Sequence, residues 1–388
     1  MKSAGLALLL FFLTNIFTAQ EIAVQPKFDR GLSFTISPHY GFIAAHTPQM
    51  EHLIQGHSRG ISGSILWGST RRALWEGKYN FPDAGIDFFV NNTGNYKQLG
   101  TQITGTFFMD LPLNKVQYKK GKTRSEDEYV EPWHRLGLGI GVGYSSKIWD
   151  LENNRQANVL GSQLNVGIVL QYKIDIWETS AYAIQTGMRI THYSNGALQL
   201  PNLGTNNLSV FTAFRWKNRR YREIPKENVE DQERGIIGWI TFIRSWHQSL
   251  GLFVGLKEIP PPYGKKFTTL SLSYLLDRRQ SFKSSFGIGL DIFRNSSIGV
   301  LLERRDNNDR QIDIIQSGAV LSYTLHFDEF EFKIQQGFYL RDKWKDNGFL
   351  YHRFGLRYLL SEKVFLNLML KTHFAKADHG ELGIGYRF

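Results

Sequence analysis

Two side chains able to do chemistry together, His192 and Ser194, stand two residues apart in the stretch Met188-Arg-Ile-Thr-His-Tyr-Ser-Asn195. The stretch runs from a strand-like alternation into a turn rich in glycine, proline and asparagine that extends to Asn206. On a β-strand, residues i and i+2 point to the same face, so the imidazole and the hydroxyl are held side by side. A base beside a hydroxyl is the minimum apparatus of a serine esterase, because it takes the proton as the oxygen attacks. Other chemistries find less support. The 388 residues include no cysteine, which excludes a disulfide framework, a thiol nucleophile and Cys-based zinc sites. No His-Glu-x-x-His spacing, P-loop, dinucleotide fingerprint or nucleic-acid motif occurs, so no metal, cofactor or nucleic-acid partner is expected.

The elements that would carry the pair are strands. Leu136, Leu138, Ile140, Val142 and Tyr144 alternate with four glycines, Gly137 to Gly143. Leu164, Val166, Ile168, Leu170 and Tyr172 alternate with Gln163, Asn165, Gly167, Val169 and Gln171, and Phe286, Ile288, Leu290 and Ile292 alternate with Ser285, Gly287, Gly289 and Asp291. A sandwich would also alternate. Here, however, the second face is repeatedly polar or glycine, and the apolar face often ends in an aromatic, which is the pattern of an outer-membrane barrel. Candidate strands of suitable length lie at 31–44, 60–69, 82–92, 98–110, 133–148, 160–173, 180–195 and 207–217. A second set lies at 236–256, 266–276, 282–294, 312–326, 329–341, 350–360, 363–375 and 380–388. The fold class expected is all-β, an outer-membrane antiparallel β-barrel of roughly 16 strands, with short turns at one end and longer loops at the other.

Whether the halves make one barrel or two eight-stranded barrels is open. The inward glycines at 137–143 suit a narrow interior. The chain end, Leu382-Gly-Ile-Gly-Tyr-Arg-Phe388, alternates to a terminal aromatic and resembles a barrel-assembly signal. A single such signal favours one barrel. Lys2 followed by the apolar run Leu6 to Phe17 reads as a secretory signal peptide over 1–19, too short for a spanning helix of ~20 residues. The chain then divides into a half at 20–217, a charged connector at 218–234 and a second half at 235–388. The net charge of +11 suits anionic lipid head groups in an exported protein.

Parity places the pair. Tyr182, Ile184, Met188 and Ile190 share a face with His192 and Ser194, opposite Ala183, Gln185, Gly187, Arg189 and Thr191. On a barrel the first set faces lipid, and with a periplasmic N-terminus the seventh strand ends at the cell exterior. That depth is where lipopolysaccharide presents its esters. His373, in the echoing stretch Met369-Leu-Lys-Thr-His-Phe-Ala-Lys376, shares parity with Asn367 and Lys371. It is expected to face the lumen as a structural residue, with Ala375 where a hydroxyl would be needed.

His192-Tyr-Ser194-Asn195-Gly, followed by Pro201-Asn202-Leu-Gly204-Thr-Asn206, resembles the signature of the PagL-type lipid A 3-O-deacylases, whose bacterial relatives are often called acyloxyacyl hydrolases. Asn91-Asn-Thr-Gly, Phe108-Met-Asp-Leu-Pro-Leu113 and His134-Arg-Leu-Gly-Leu-Gly-Ile-Gly-Val-Gly-Tyr144 extend the likeness, which covers about 31–217. The resemblance implies an outer-membrane hydrolase that removes an ester-linked acyl chain from lipid A. Ser194 would be its nucleophile and His192 its general base. Asn195, Asn202 and Gly204 would shape the site or hold the oxyanion. The family's acid, a glutamate, falls at Asn206. An asparagine carbonyl still holds an imidazole tautomer, and Asp150 or Glu152 from a neighbouring loop is the alternative. The competing reading is a non-catalytic barrel: a porin, or a lipopolysaccharide-binding or structural protein with a relic site.

Overall fold

A computed structural model describes residues 28–69, 74–114, 117–119, 128–130, 132–179, 181–221, 245–306, 311–374 and 376–388. The proposed signal peptide, most of the charged connector, the start of the 236–256 strand and Ala375 lie outside these residues. Eight strands close the first barrel: β1 (Phe28–Ile43), β2 (Ser58–Trp67), β3 (Asp83–Asn92), β4 (Thr101–Pro112), β7 (His134–Ser145), β8 (Leu164–Glu178), β9 (Tyr182–Ser194) and β10 (Thr205–Tyr221). A small hairpin, β5 (Gln117–Lys119) and β6 (Glu128–Val130), sits between β4 and β7. The second barrel comprises β11 (Trp246–Glu258), β12 (Lys266–Arg279), β13 (Ser284–Asn295), β14 (Ile315–Phe327), β15 (Phe330–Arg341), β16 (Leu350–Leu359), β17 (Val364–His373) and β18 (Lys376–Arg387).

All barrel pairs are antiparallel, and apart from the two closing pairs each joins successive strands of its barrel. The lean towards one large barrel is therefore corrected to the alternative of two. β10 returns to pair with β1, placing Phe214 opposite Ile36, and β18 pairs with β11, placing Ile384 opposite Leu252. Each set of eight thus consumes its own edges, and closure leaves no strand edge for the other half to join. The expectation of uniformly short turns at one end also fails in the first barrel. Opposite the His/Ser end it carries α1 (Leu74–Lys78) and the β5–β6 hairpin.

An eight-stranded barrel has an interior just wide enough for side chains, and the glycine row on β7 shows how tight the packing is. A Cβ at Gly137 would lie 2.2 Å from the Phe108 ring, and one at Gly143 2.6 Å from the Tyr193 ring. Polar groups fill both lumens in pairs. In the first barrel, Arg189 meets Asp87 at 2.6 Å, Arg215 meets Asp83 at 2.7 Å and Lys173 meets Asp110 at 2.8 Å. In the second, Arg353 bridges Asp291 at 3.1 Å and Glu381 at 2.7 Å. Such pairing is compulsory, because an uncompensated buried charge costs several kcal/mol. The outer faces are apolar, from Ile36, Phe88 and Met188 to Leu252, Ile288 and Ile384, as a lipid-facing surface requires.

The barrels touch at both ends. Away from the His/Ser end, Tyr79 stacks on Phe327 with centroids 4.6 Å apart, beside Trp75, Leu111 and Leu325. At the His/Ser end, the loops of the first barrel are capped by Ile43, Met50, Leu53, Leu99, Val159, Leu160 and Tyr193, and Trp149 reaches Tyr263 of the second barrel at 5.3 Å.

Candidate active site

His192 and Ser194 lie at the last turn of pleat on β9, on the outer face, as parity requires. Met188 and Ile190 beneath them are exposed, while Arg189, Thr191 and Tyr193 point into the lumen. Register then supplies the partner of the imidazole. In the β9–β10 ladder Asn206 is directly opposite His192, and Ile168 of β8 flanks it on the other side. Directly opposed residues have Cβ atoms ~4.5–5.5 Å apart, which is the reach of an amide to a ring. His192 Nδ1 and Asn206 Oδ1 are 2.7 Å apart. The amide oxygen accepts, so Nδ1 carries the proton and Nε2 has the lone pair of a base. Asn206 Nδ2 in turn donates to His46 Nδ1 at 3.0 Å. With His46 Nδ1 as the acceptor, this contact favours the amide orientation that presents Oδ1 to His192. Flipped, Asn206 would present N–H groups to Nδ1 and move the ring proton to Nε2.

Ser194 is nearly covered, at 7% exposure. Its hydroxyl sits in the loop 195–204, where Asn202 Nδ2 donates to Oγ at 3.0 Å and Gly196 N–H donates at 3.2 Å. The hydroxyl also donates to Asn202 Oδ1 at 3.2 Å, and that oxygen accepts the Asn195 N–H at 3.0 Å. Oγ thus accepts from two N–H donors, which lie close to where an acyl carbon bonded to Oγ would carry its oxygen. Gly204 lies at φ +77° with its Cα against the imidazole. A Cβ there would come 2.9 Å from His192 Cε1.

Residues 67–215 match the family model described as lipid A 3-O-deacylase (PagL), and residues 246–388 match the one described as acyloxyacyl hydrolase, C-terminal domain. The chain belongs to the lipid A 3-O-deacylase family. The likeness read from sequence stops at 217, and the second model extends it through the second barrel. Membership implies a hydrolase with lipid A as substrate, and two barrels with apolar outer faces fit an outer-membrane protein. No curated protein matches the chain. Among solved structures, it is similar to a mutant of the Rh. blastica porin, at 10% identity over 92% of this chain and 99% of that one, with TM-score 0.19. A triple mutant of the Rhodopseudomonas blastica porin matches at 9% identity over the same shares, with TM-score 0.18. TM-scores that low carry no argument.

The expected residues lie at the loop end of β9 and β10, but among the described residues no hydrogen bond joins Ser194 to His192: the hydroxyl is held by Asn202 and Gly196 and the imidazole by Asn206. The Gly204 N–H is taken by Val159 O at 2.9 Å, so its contribution is room for the ring and not an oxyanion donor. The Asn195 side chain staples the loop, donating to Ser162 Oγ and Gln199 O, both at 2.8 Å. Asp150 holds its own loop: its carboxylate accepts the backbone N–H groups of Asn153 and Glu152 and lies below its usual range for that reason. Asn206, and not a loop carboxylate, is the partner seen on His192. His373 faces the lumen, where Tyr339 Oη is 3.0 Å from its Nε2. Sequence reasoning missed His46 and the Gly196 N–H as participants. Gly196 is the last residue of the His192-Tyr-Ser-Asn-Gly motif, whereas nothing local marks His46.

Proposed function

We propose that this deacylase hydrolyses an ester-linked acyl chain of lipid A with Ser194 as nucleophile and His192 as general base. The observation that carries the reading is the pair itself, on the lipid face at the loop end of β9, with Asn206 holding Nδ1 so that Nε2 is free to accept a proton. On substrate binding the Ser194 hydroxyl turns from Asn202 to His192. Oγ bonds to the acyl carbon as its proton passes to Nε2. The carbonyl oxygen becomes an oxyanion held by Gly196 N–H and Asn202 Nδ2, each worth ~10²–10³ in rate by analogy with other oxyanion donors. The imidazolium then protonates the departing sugar oxygen as the ester C–O bond breaks. Water, deprotonated by His192, releases the fatty acid from Ser194. Lys97, Lys147 and Arg155, exposed on the loops at this end, suit the lipid A phosphates.

The filled lumen supports an enzyme over a porin. In the second barrel, the space lined by Ser249, Phe253, Lys333, Arg353 and Asn367 is about 10 Å³, room for about one water, and in the first the Phe108 and Tyr193 rings close over the β7 glycines. Planar-bilayer recordings should therefore show no discrete conductance steps. The deciding experiment is mass spectrometry of lipid A from cells expressing wild type or Ser194→Ala. Wild type should remove one acyl chain and the variant none. Identical acylation, with both proteins folded in the membrane, would overturn the reading.

A further inference from the structure

The loop 195–204 sets the geometry around Ser194, and the first barrel does not hold it alone. Glu258, the last residue of β11, accepts the Leu200 N–H on Oε2 at 2.6 Å, and its own backbone N–H donates to Ala197 O at 2.9 Å. Lys266, the first residue of β12, holds the same Oε2 at 3.0 Å. Two residues from Ser194, Gly196 lies against the second barrel so closely that a Cβ would stand 3.3 Å from Gly380 N and 3.4 Å from Leu370 Cδ1. Glu258 is only 2% exposed, and among the described residues its Oε1 has no hydrogen-bond partner. A half-served buried carboxylate opposes folding, and the β11 ladder, made by backbone groups, does not need it. What the carboxylate does is fasten the reactive loop.

We propose that the second barrel is the splint of the reactive loop and that Glu258 is a positioning residue. Its carboxylate fixes the backbone at Leu200 while its own N–H holds Ala197 O, and through them the Gly196 N–H and the Asn202 amide are set on Ser194. Hydrogen bonds from backbone N–H to a carboxylate are short and strong, so one side chain is enough to hold the far side of the loop. The catalytic half of this inference rests on the Ser194 reading above. The mechanical half does not.

The test uses the full chain, folded in detergent micelles, as wild type, Glu258→Ala and Glu258→Gln. Folding is checked by heat-modifiable gel mobility. Hydrogen exchange of the peptide covering 195–204 is read by mass spectrometry, and kcat and KM are measured on purified lipopolysaccharide. In Glu258→Ala the loop amides should exchange at least tenfold faster while β9 and β10 stay protected. The kcat should fall about tenfold with KM within twofold. Glu258→Gln keeps an oxygen for the Leu200 N–H and should restore most of both. Loop exchange within twofold of wild type in folded Glu258→Ala would overturn the splint, and a loosened loop with unchanged kcat would overturn the positioning role. Faster loop exchange in Glu258→Ala beside a wild type that deacylates nothing would support the splint and overturn the esterase reading. Should Glu258→Ala fail to assemble, Glu258→Asp makes the same test, since it withdraws the carboxylate by one methylene and keeps the charge.

Discussion

In the second barrel Ser285 Oγ lies 2.7 Å from His326 Nε2, and His326 Nδ1 lies 3.2 Å from Glu331 Oε1. In the first, Ser194 bonds to Asn202 and Gly196 while His192 leans on a neutral asparagine. By hydrogen bonding alone the second set is nearer to a serine triad, carboxylate included. Its surroundings decide otherwise. All three side chains point into the lumen, Glu331 is also tied to Arg387 at 2.9 Å, and the adjoining space is about 10 Å³. An acyl chain has no place there. The His192–Ser194 pair faces outward, between Val166 and Ile168 of β8 and the residues of β10. The contrast teaches that on a barrel the face a residue occupies, more than the bonds it makes, selects chemistry from structure.

Five measurements would break or sharpen that contrast. The largest effect is expected from Ser194→Ala, which should lower lipid A deacylation by roughly 10³-fold or more, as loss of a nucleophile does. Ser285→Ala should leave the rate within twofold. The reverse result would exchange the roles of the two sets. Next, Arg353→Met leaves Asp291 and Glu381 buried without their cation and should cost about 3–5 kcal/mol in urea unfolding from lipid vesicles. The folded fraction should retain its turnover. Third, Gly204→Ala puts a methyl against the imidazole at a positive φ, and kcat should fall by about 10²-fold, the scale of a misplaced catalytic group; activity equal to wild type would show that the ring has room to move.

The two smaller effects concern charge and proton position. Asn206→Asp supplies the negative charge that stabilises an imidazolium, and we expect kcat at neutral pH to rise by about an order of magnitude. A fall would mean that the Asn206 contact to His46 matters more than the charge. His46→Ala should lower kcat by about threefold to fivefold, because nothing then selects the amide orientation. Activity within twofold of wild type would show that the amide keeps its orientation without His46.

Much of this was legible in one dimension. Apart from the 236–256 candidate, whose described strand starts only at Trp246, the strands begin and end within about five residues of the places where the alternation does, and the inward glycines of β7 announce the narrow lumen they occupy. The echo of Met188–Asn195 in Met369–Lys376 also lands on the seventh strand of each barrel, yet it misleads. Met188 is 52% exposed and Met369 3%, so the two blocks stand in opposite phase and His373 is turned inward. One residue of offset is enough to reverse every side chain.

The sequence by itself determined the period-two pattern, hence which side chains share a face and that His192 and Ser194 lie on the apolar one. That information is local, set by the pleat. Tertiary structure alone decided that β10 returns to β1 and closes a barrel of eight, that Asn206 pairs with His192, that Gly204 makes room for a ring, and that His46 and Glu258 reach the site from other loops and the other barrel. These depend on hydrogen-bond register and on contacts between distant parts of the chain, for which alternation carries no address.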